Sequence, residues 1–195
     1  TLAAIRYGTG LRPGEVPPQD AQALLAQLPA AARAELRFPR EGITGRRETA
    51  EKIIALRRAE AKATQNGKPN ARLRQTTQQQ ANRLYRGDAG ARIAQAVTSP
   101  YGFHERLASF WADHFAVNAD KNLQMFMLAA LHEAEAIRPH LAGSFRDLLK
   151  AAVLQPAMLI YLDQNRSVGP DSVAGRRSGR GLNENLGREL IELHT

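Results

Sequence analysis

Three side chains could do chemistry if the fold gathered them: His114 in FWADHF, and Glu189 and Glu192 in the closing stretch NENLGRELIELHT. The two glutamates stand three residues apart, so on a helix both carboxylates lean the same way, with Asn185 one turn earlier. Such a pair can coordinate a divalent metal, or divide acid and base roles where burial separates their pKa values. His114 would add an imidazole as a further ligand or a general base. The plainer alternatives are a core histidine bonded to a carbonyl, and a solvated face on which Arg188 pairs with Glu192. His104 falls about 80° from His114 around the same helix, so that helix alone offers no metal pair. The HExxH zinc motif is absent, and a chain without cysteine has no disulfide, thiolate nucleophile or Cys-ligated zinc.

A second group could bind rather than react. Arg176, Arg177 and Arg180 lie in NRSVGPDSVAGRRSGRG, a Gly, Ser and Arg stretch read as a long basic loop, and they could grip phosphate or carboxylate groups. It lacks the glycine and lysine spacing of a P-loop. Asn183, Asn185 and Arg188 follow at the start of the closing helix as further polar ligand-binding candidates.

Charge gives a third possibility. The formal net charge is +8, and the stretch from Arg40 to Arg92 carries all of it, with 13 Lys and Arg against 5 Asp and Glu. An acidic partner or a solvated arm would account for that asymmetry. Nucleic acid is a weaker reading, because Tyr85 is the one aromatic residue there to stack on a base. No apolar run approaches the roughly 18 residues that span a bilayer, and TLAAIRYGTG lacks the pattern of an export signal.

The elements that must position these residues are helices. Asp20 caps a helix carrying Leu24, Leu25 and Leu28, and a second short helix ends near Pro39. A longer one starts near Thr44, with Ile53, Ile54 and Leu56 as its apolar contacts. The stretch from Glu60 to Asn82 is poor in apolar residues and broken by NGKPN at 66–70, which predicts an exposed helical hairpin. Asp88 reads as the cap of a further helix, and Ser99 with Pro100 as the start of another. In that next helix Phe103, Leu107, Phe110, Trp111 and His114 fall on one face about 100° wide, which predicts its buried side. Helices at about 120–140, 144–153 and 155–164 follow, and the last carries Leu186, Leu190 and Leu193 on its apolar side. With no β-alternating run or repeat, the expected fold is all-α, one irregular multi-helix domain over 1–195 with an exposed basic hairpin.

Taken together, ERLASFWADHFAV, GSFRDLLKAAVLQPAMLIYLDQNRS and NENLGRELIELHT, in that order and spacing, resemble the bacterial family known as domain of unknown function 1800. The resemblance spans essentially the whole chain. It falls on Phe110, Trp111, His114 and Phe115, on Pro156 to Leu159 and Leu162, and on Asn183 to Asn185, Arg188 to Leu190 and Glu192 to His194. It implies a helical protein, often exported to the periplasm or beyond, and often encoded beside a second family, domain of unknown function 1501. It implies no catalytic role for any residue. Family members usually run on further, so this chain is expected to be the N-terminal part of a longer protein.

These readings converge on a binding or assembly component of an exported bacterial system, with a family 1501 protein as the expected partner. The alternative is a metal-assisted hydrolase that uses His114, Glu189 and Glu192 across helices, with a divalent metal as cofactor. Nucleic-acid binding through residues 40–92 stands third.

Overall fold

The computed structural model describes residues 2–193, and among these the secondary structure is helical, with no strand. His194, one of the motif positions, lies outside the described residues.

One long hairpin organises the first half. Helices α4 (Gly42–Gln65) and α5 (Ala71–Thr98) follow α1 (Leu2–Tyr7), α2 (Ala21–Leu25) and α3 (Gln27–Ala31). At 1.5 Å per residue they run about 36 and 42 Å. The expected break at 66–70 is the hairpin turn, and Asn70 caps α5 by accepting the Leu73 N–H at 2.9 Å. Along the seam Ala50 and Ile53 of α4 meet Ala81 of α5 and Met127 of α7 (Leu123–Leu131), none of them more than 3% exposed. The two alanines let the helices approach closely enough for Ile53 and Met127 to fill the space between them.

A second core lies under α6 (Gly102–His114), α8 (Phe145–Leu154) and α9 (Pro156–Tyr161). Ala108, Phe115, Leu148, Ala152, Met158 and Leu162 form it, joined by Ile137. Ser144 starts α8 by accepting the Asp147 N–H at 3.2 Å, and Gln155 starts α9 by accepting the Ala157 N–H at 2.6 Å. Between the cores, the plain helix expected over 120–140 is in fact α7, then a π-helical turn over His132–Ile137, then a 3-10 turn over Arg138–His140.

Four further sequence expectations about the elements change. The second short helix ends at Ala31 rather than near Pro39. Asp88 caps nothing: α5 runs through it, because its buried carboxylate takes the Arg46 guanidinium and the Arg40 N–H at 3.1 Å. Ser99 closes α5, its Oγ accepting the Tyr101 N–H at 3.2 Å, so α6 begins only at Gly102. Within the supposed loop 165–181 stands a short helix, α10 (Val173–Ser178), which Ser172 caps by accepting the Gly175 N–H at 3.0 Å. A Cβ at Gly175 would meet Gly169 O at 2.4 Å, so only glycine lets the loop fold back over this helix.

Arg46 locks the hairpin. It is fully buried, pairs with Asp88, donates from Nε to Glu41 at 2.8 Å and reaches Met127 O at 3.4 Å. Arg46→Ala strands a buried carboxylate and is expected to cost about 3–5 kcal/mol in urea denaturation. The double variant Arg46→Met with Asp88→Leu is expected to lose less than Arg46→Ala alone; a larger loss would show that the pair itself, rather than its neutralisation, holds the seam.

Candidate functional site

The residues singled out from sequence stand on α6 and on the closing segment. His114 ends α6 at the surface, where its ring meets Trp111 edge-on at 5.5 Å and Phe115 at 4.7 Å. Glu189 is half-buried and Glu192 exposed on α11 (Asn185–Leu193). Among the described residues no three His, Asp or Glu side chains are gathered as a set that could hold a metal ion. The metal-assisted alternative is therefore left without the convergence of His114, Glu189 and Glu192 on which it depends.

The closing helix is tied on by its polar start. Asn183 donates from Nδ2 to Leu162 O at 3.3 Å, its N–H reaches Ser167 Oγ at 3.0 Å, and its Oδ1 accepts the Asn185 N–H at 2.9 Å. Leu186 packs against the second core. Arg188 donates to Asn185 Oδ1 at 3.0 Å, and the ion pair expected with Glu192 does not form. Arg176 and Arg177, on α10, and Arg180 just after it are exposed, in a segment closed by the Val168 N–H on Gly181 O at 3.2 Å.

The buried side of α6 is only partly its aromatic stripe, of which Leu107 and Trp111 pack on the second core. His104, Glu105 and Ala108 are buried, whereas Phe110 is 60% exposed and His114 exposed, so the helix is turned by roughly 100° from the orientation its apolar spacing predicts. The cause is charge. Arg138 donates to both oxygens of Glu105, at 3.2 and 2.7 Å, and from Nε to Glu133 at 2.9 Å, while its guanidinium lies 5.0 Å over the Phe38 ring. Arg92 pairs with the other oxygen of Glu133, and Gln95 donates to Glu105 at 3.1 Å. Sequence reasoning missed this network. Its signal was HEAEAIRPH, a run of charges within the apolar pattern LQMFMLAAL and IRPHL, where a solvated face would interrupt the core.

Two cavities flank the network. One of about 300 Å³ is walled by Tyr85, Asp88, Arg92, His132 and Glu133; the other, of about 180 Å³, by Gln95, Tyr101, His104, Glu105 and Arg138. Burial pushes the Glu105 carboxyl up, but His104, Arg138 and Gln95 together outweigh it and hold the group well below the usual carboxylate range. Burial holds the His132 imidazole below its ordinary range, against the pull of its contact with Phe115 O at 2.9 Å. A neutral ring must donate there, since a carbonyl can only accept. Neither group is matched to proton transfer near neutral pH, which wants a pKa close to the working value. The arrangement clamps helices together rather than presenting an acid or base.

Fold and site thus define an all-α protein built on a long helical hairpin, with a buried charge clamp and an outward aromatic face. The model of the family described as protein of unknown function (DUF1800) matches residues 3–195, and the chain belongs to that family. No curated protein and no solved structure gives a match to it.

Both shifted groups bind fewer protons folded than unfolded, so stability rises with pH through each window. It is expected to be complete above the ordinary histidine range, to fall as pH drops below about 6.5 through His132, and to fall again below about 4.5 through Glu105. His132→Gln keeps a donor toward Phe115 O and is expected to remove the upper stage alone, as read from thermal midpoints against pH. An unchanged upper stage would assign it to another group.

Proposed function

We propose that this chain is a binding or assembly component of an exported bacterial system, and that its protein partner seats on the aromatic ledge of α6 and α8. The observation that carries this reading is the exposure of Phe110 and Phe145, at 60% and 46%, on either side of Trp111. Their ring centroids lie 5.0 and 5.5 Å from that of Trp111. Clustered aromatics at a surface fit a contact patch, because they bring large area at small cost in side-chain entropy and dominate interface energetics.

The surroundings suit the same role. Leu186 packs on the core that also seats Trp111, which brings the start of α11 to the margin of the ledge. Asn185, Arg188, Glu189 and Glu192 on that helix supply the hydrogen-bonding rim that surrounds the apolar centre of most interfaces. On this reading the polar face of the closing helix confers specificity, and the family motif marks a contact surface. The family resemblance supplies the partner to try first, a protein of domain of unknown function 1501.

The test is co-purification and titration calorimetry of the chain with that partner, beside the double variant Phe110→Ser with Phe145→Ser. A complex weakened about 30-fold or more is expected, since a single aromatic anchor is commonly worth about 2 kcal/mol or more. The helical circular-dichroism spectrum should be unchanged, because neither ring is buried. Equal affinity in the double variant, or no complex at all, would overturn the assignment.

A further inference from the structure

We infer that the outer face of α5 is a docking surface for an anionic phospholipid bilayer, with its arginines on the headgroups and its aliphatic end at the acyl boundary. Arg72, Arg83 and Arg86 fall within one narrow stripe, together with Gln75 and Gln79, and all five are exposed. By helical geometry the stripe continues through Gly90 to Ile93 and Val97, all within roughly 80° of arc. Ile93 and Val97 are 66% and 62% exposed. The line runs about 37 Å from Arg72 to Val97 at 1.5 Å per residue.

No acid tempers it. Asp88 is the one acidic residue of α5, and it lies on the buried side against Arg46. From Arg58 to Arg86 the sole acid is Glu60, buried and 3.7 Å from Arg57. Arg58, Lys62, Lys68, Arg72, Arg74, Arg83 and Arg86 make no ion pair among the described residues. At the apolar end, Val97 shares the wall of one cavity with Leu11 and with Val16, which is 80% exposed. The aliphatic patch is thus wider than the helix.

The order of residues along the stripe decides between polyanions. A single-stranded nucleic acid wants stacking rings, and the stripe has none. A duplex would satisfy the arginines and leave Ile93, Val97 and Val16 in water. A bilayer surface uses both, drawing in the cations electrostatically and burying the aliphatic end at the interface. No helix among the described residues is long and apolar enough to cross a membrane, so the contact is peripheral.

The experiment is flotation of the protein with vesicles of phosphatidylcholine alone and of phosphatidylcholine mixed equally with phosphatidylglycerol, at low and high salt. Binding to the mixed vesicles only, lost at high salt, is expected. Arg72→Gln, Arg83→Gln and Arg86→Gln together should weaken it at least tenfold, because each surface cation adds to the attraction of an anionic leaflet. Ile93→Ser with Val97→Ser should weaken it severalfold, the effect that a purely electrostatic contact would not show. Three outcomes overturn the proposal: equal binding to neutral vesicles, no change in the triple variant, or binding to duplex DNA or an acidic protein without binding to vesicles. All five positions are exposed, so an unchanged circular-dichroism spectrum separates lost binding from lost fold.

Discussion

The fold turns on the need to neutralise Arg138 in the interior. A buried guanidinium carries a desolvation penalty of several kcal/mol, and it is tolerated only where carboxylates and other acceptors surround it with good geometry. Here Glu105 and Glu133 provide them, and Phe38 closes the remaining face of the guanidinium with its ring. Those contacts draw three separate parts of the chain to one point: α6, the π-helical turn, and the segment before α4. They also set the rotation of α6. Once Glu105 must face inward, Phe110, a little over a third of a turn away, has to face out. The aromatic ledge is a consequence of the buried charge, and needs no separate explanation from hydrophobic pattern.

The π-helical turn belongs to the same constraint. In regular α-helical geometry residues five apart point about 140° away from each other, so Glu133 and Arg138 would diverge. In the wider turn the Arg138 N–H bonds to Glu133 O, an i to i+5 contact that brings the two side chains onto one side. The 2.9 Å bond from Arg138 Nε to Glu133 follows. Local hydrogen-bond geometry has been adapted to a tertiary requirement. That adaptation also buries His132 in its neutral form, because the same turn leads it back under Phe115 O.

Much of the helical order was legible because it rests on local signals. Asp20 and the break at 66–70 act within a few residues, and the structure uses both of them. The expectations that failed concern residues whose partners are distant. Asp88 has the sequence of a cap, but Arg46, from the opposite helix of the hairpin, makes it a buried mid-helix acid. The stripe from Phe103 to His114 has the spacing of a buried face, but with Glu105 held inward by Arg138 only part of it is covered: Leu107 and Trp111 pack on the second core, while Phe110 and His114 face out. Of the candidate site, only the tie of Asn183 and Asn185 at the head of α11 could be read from local capping chemistry. The pairing of Arg188 could not, since Asn185 and Glu192 are both within a turn of it and the choice depends on the packing of α11.

The same logic connects the interior to the outer charge of the hairpin. Between Arg40 and Arg92 there are 5 acids, and Glu41, Glu60 and Asp88 among them are bound to arginines at or beneath the surface. Arg92 and Arg47 take their acids from the π-helical turn, as Glu133 and Glu135, rather than from the hairpin. The interior pairs are therefore close to balanced, and the net charge left over has to appear on the outside. It appears on the hairpin because α5 has no acid on its solvent face. Had the surface been selected only for solubility, interspersed Glu and Lys at i and i+4 would have served and would have stabilised the helix as well. An arginine and glutamine stripe without those pairs forgoes that stabilisation along about 21 Å of helix from Arg72 to Arg86. Such a sacrifice is what a surface that must attract an anion requires, since each added carboxylate would cancel part of the field on which the attraction depends.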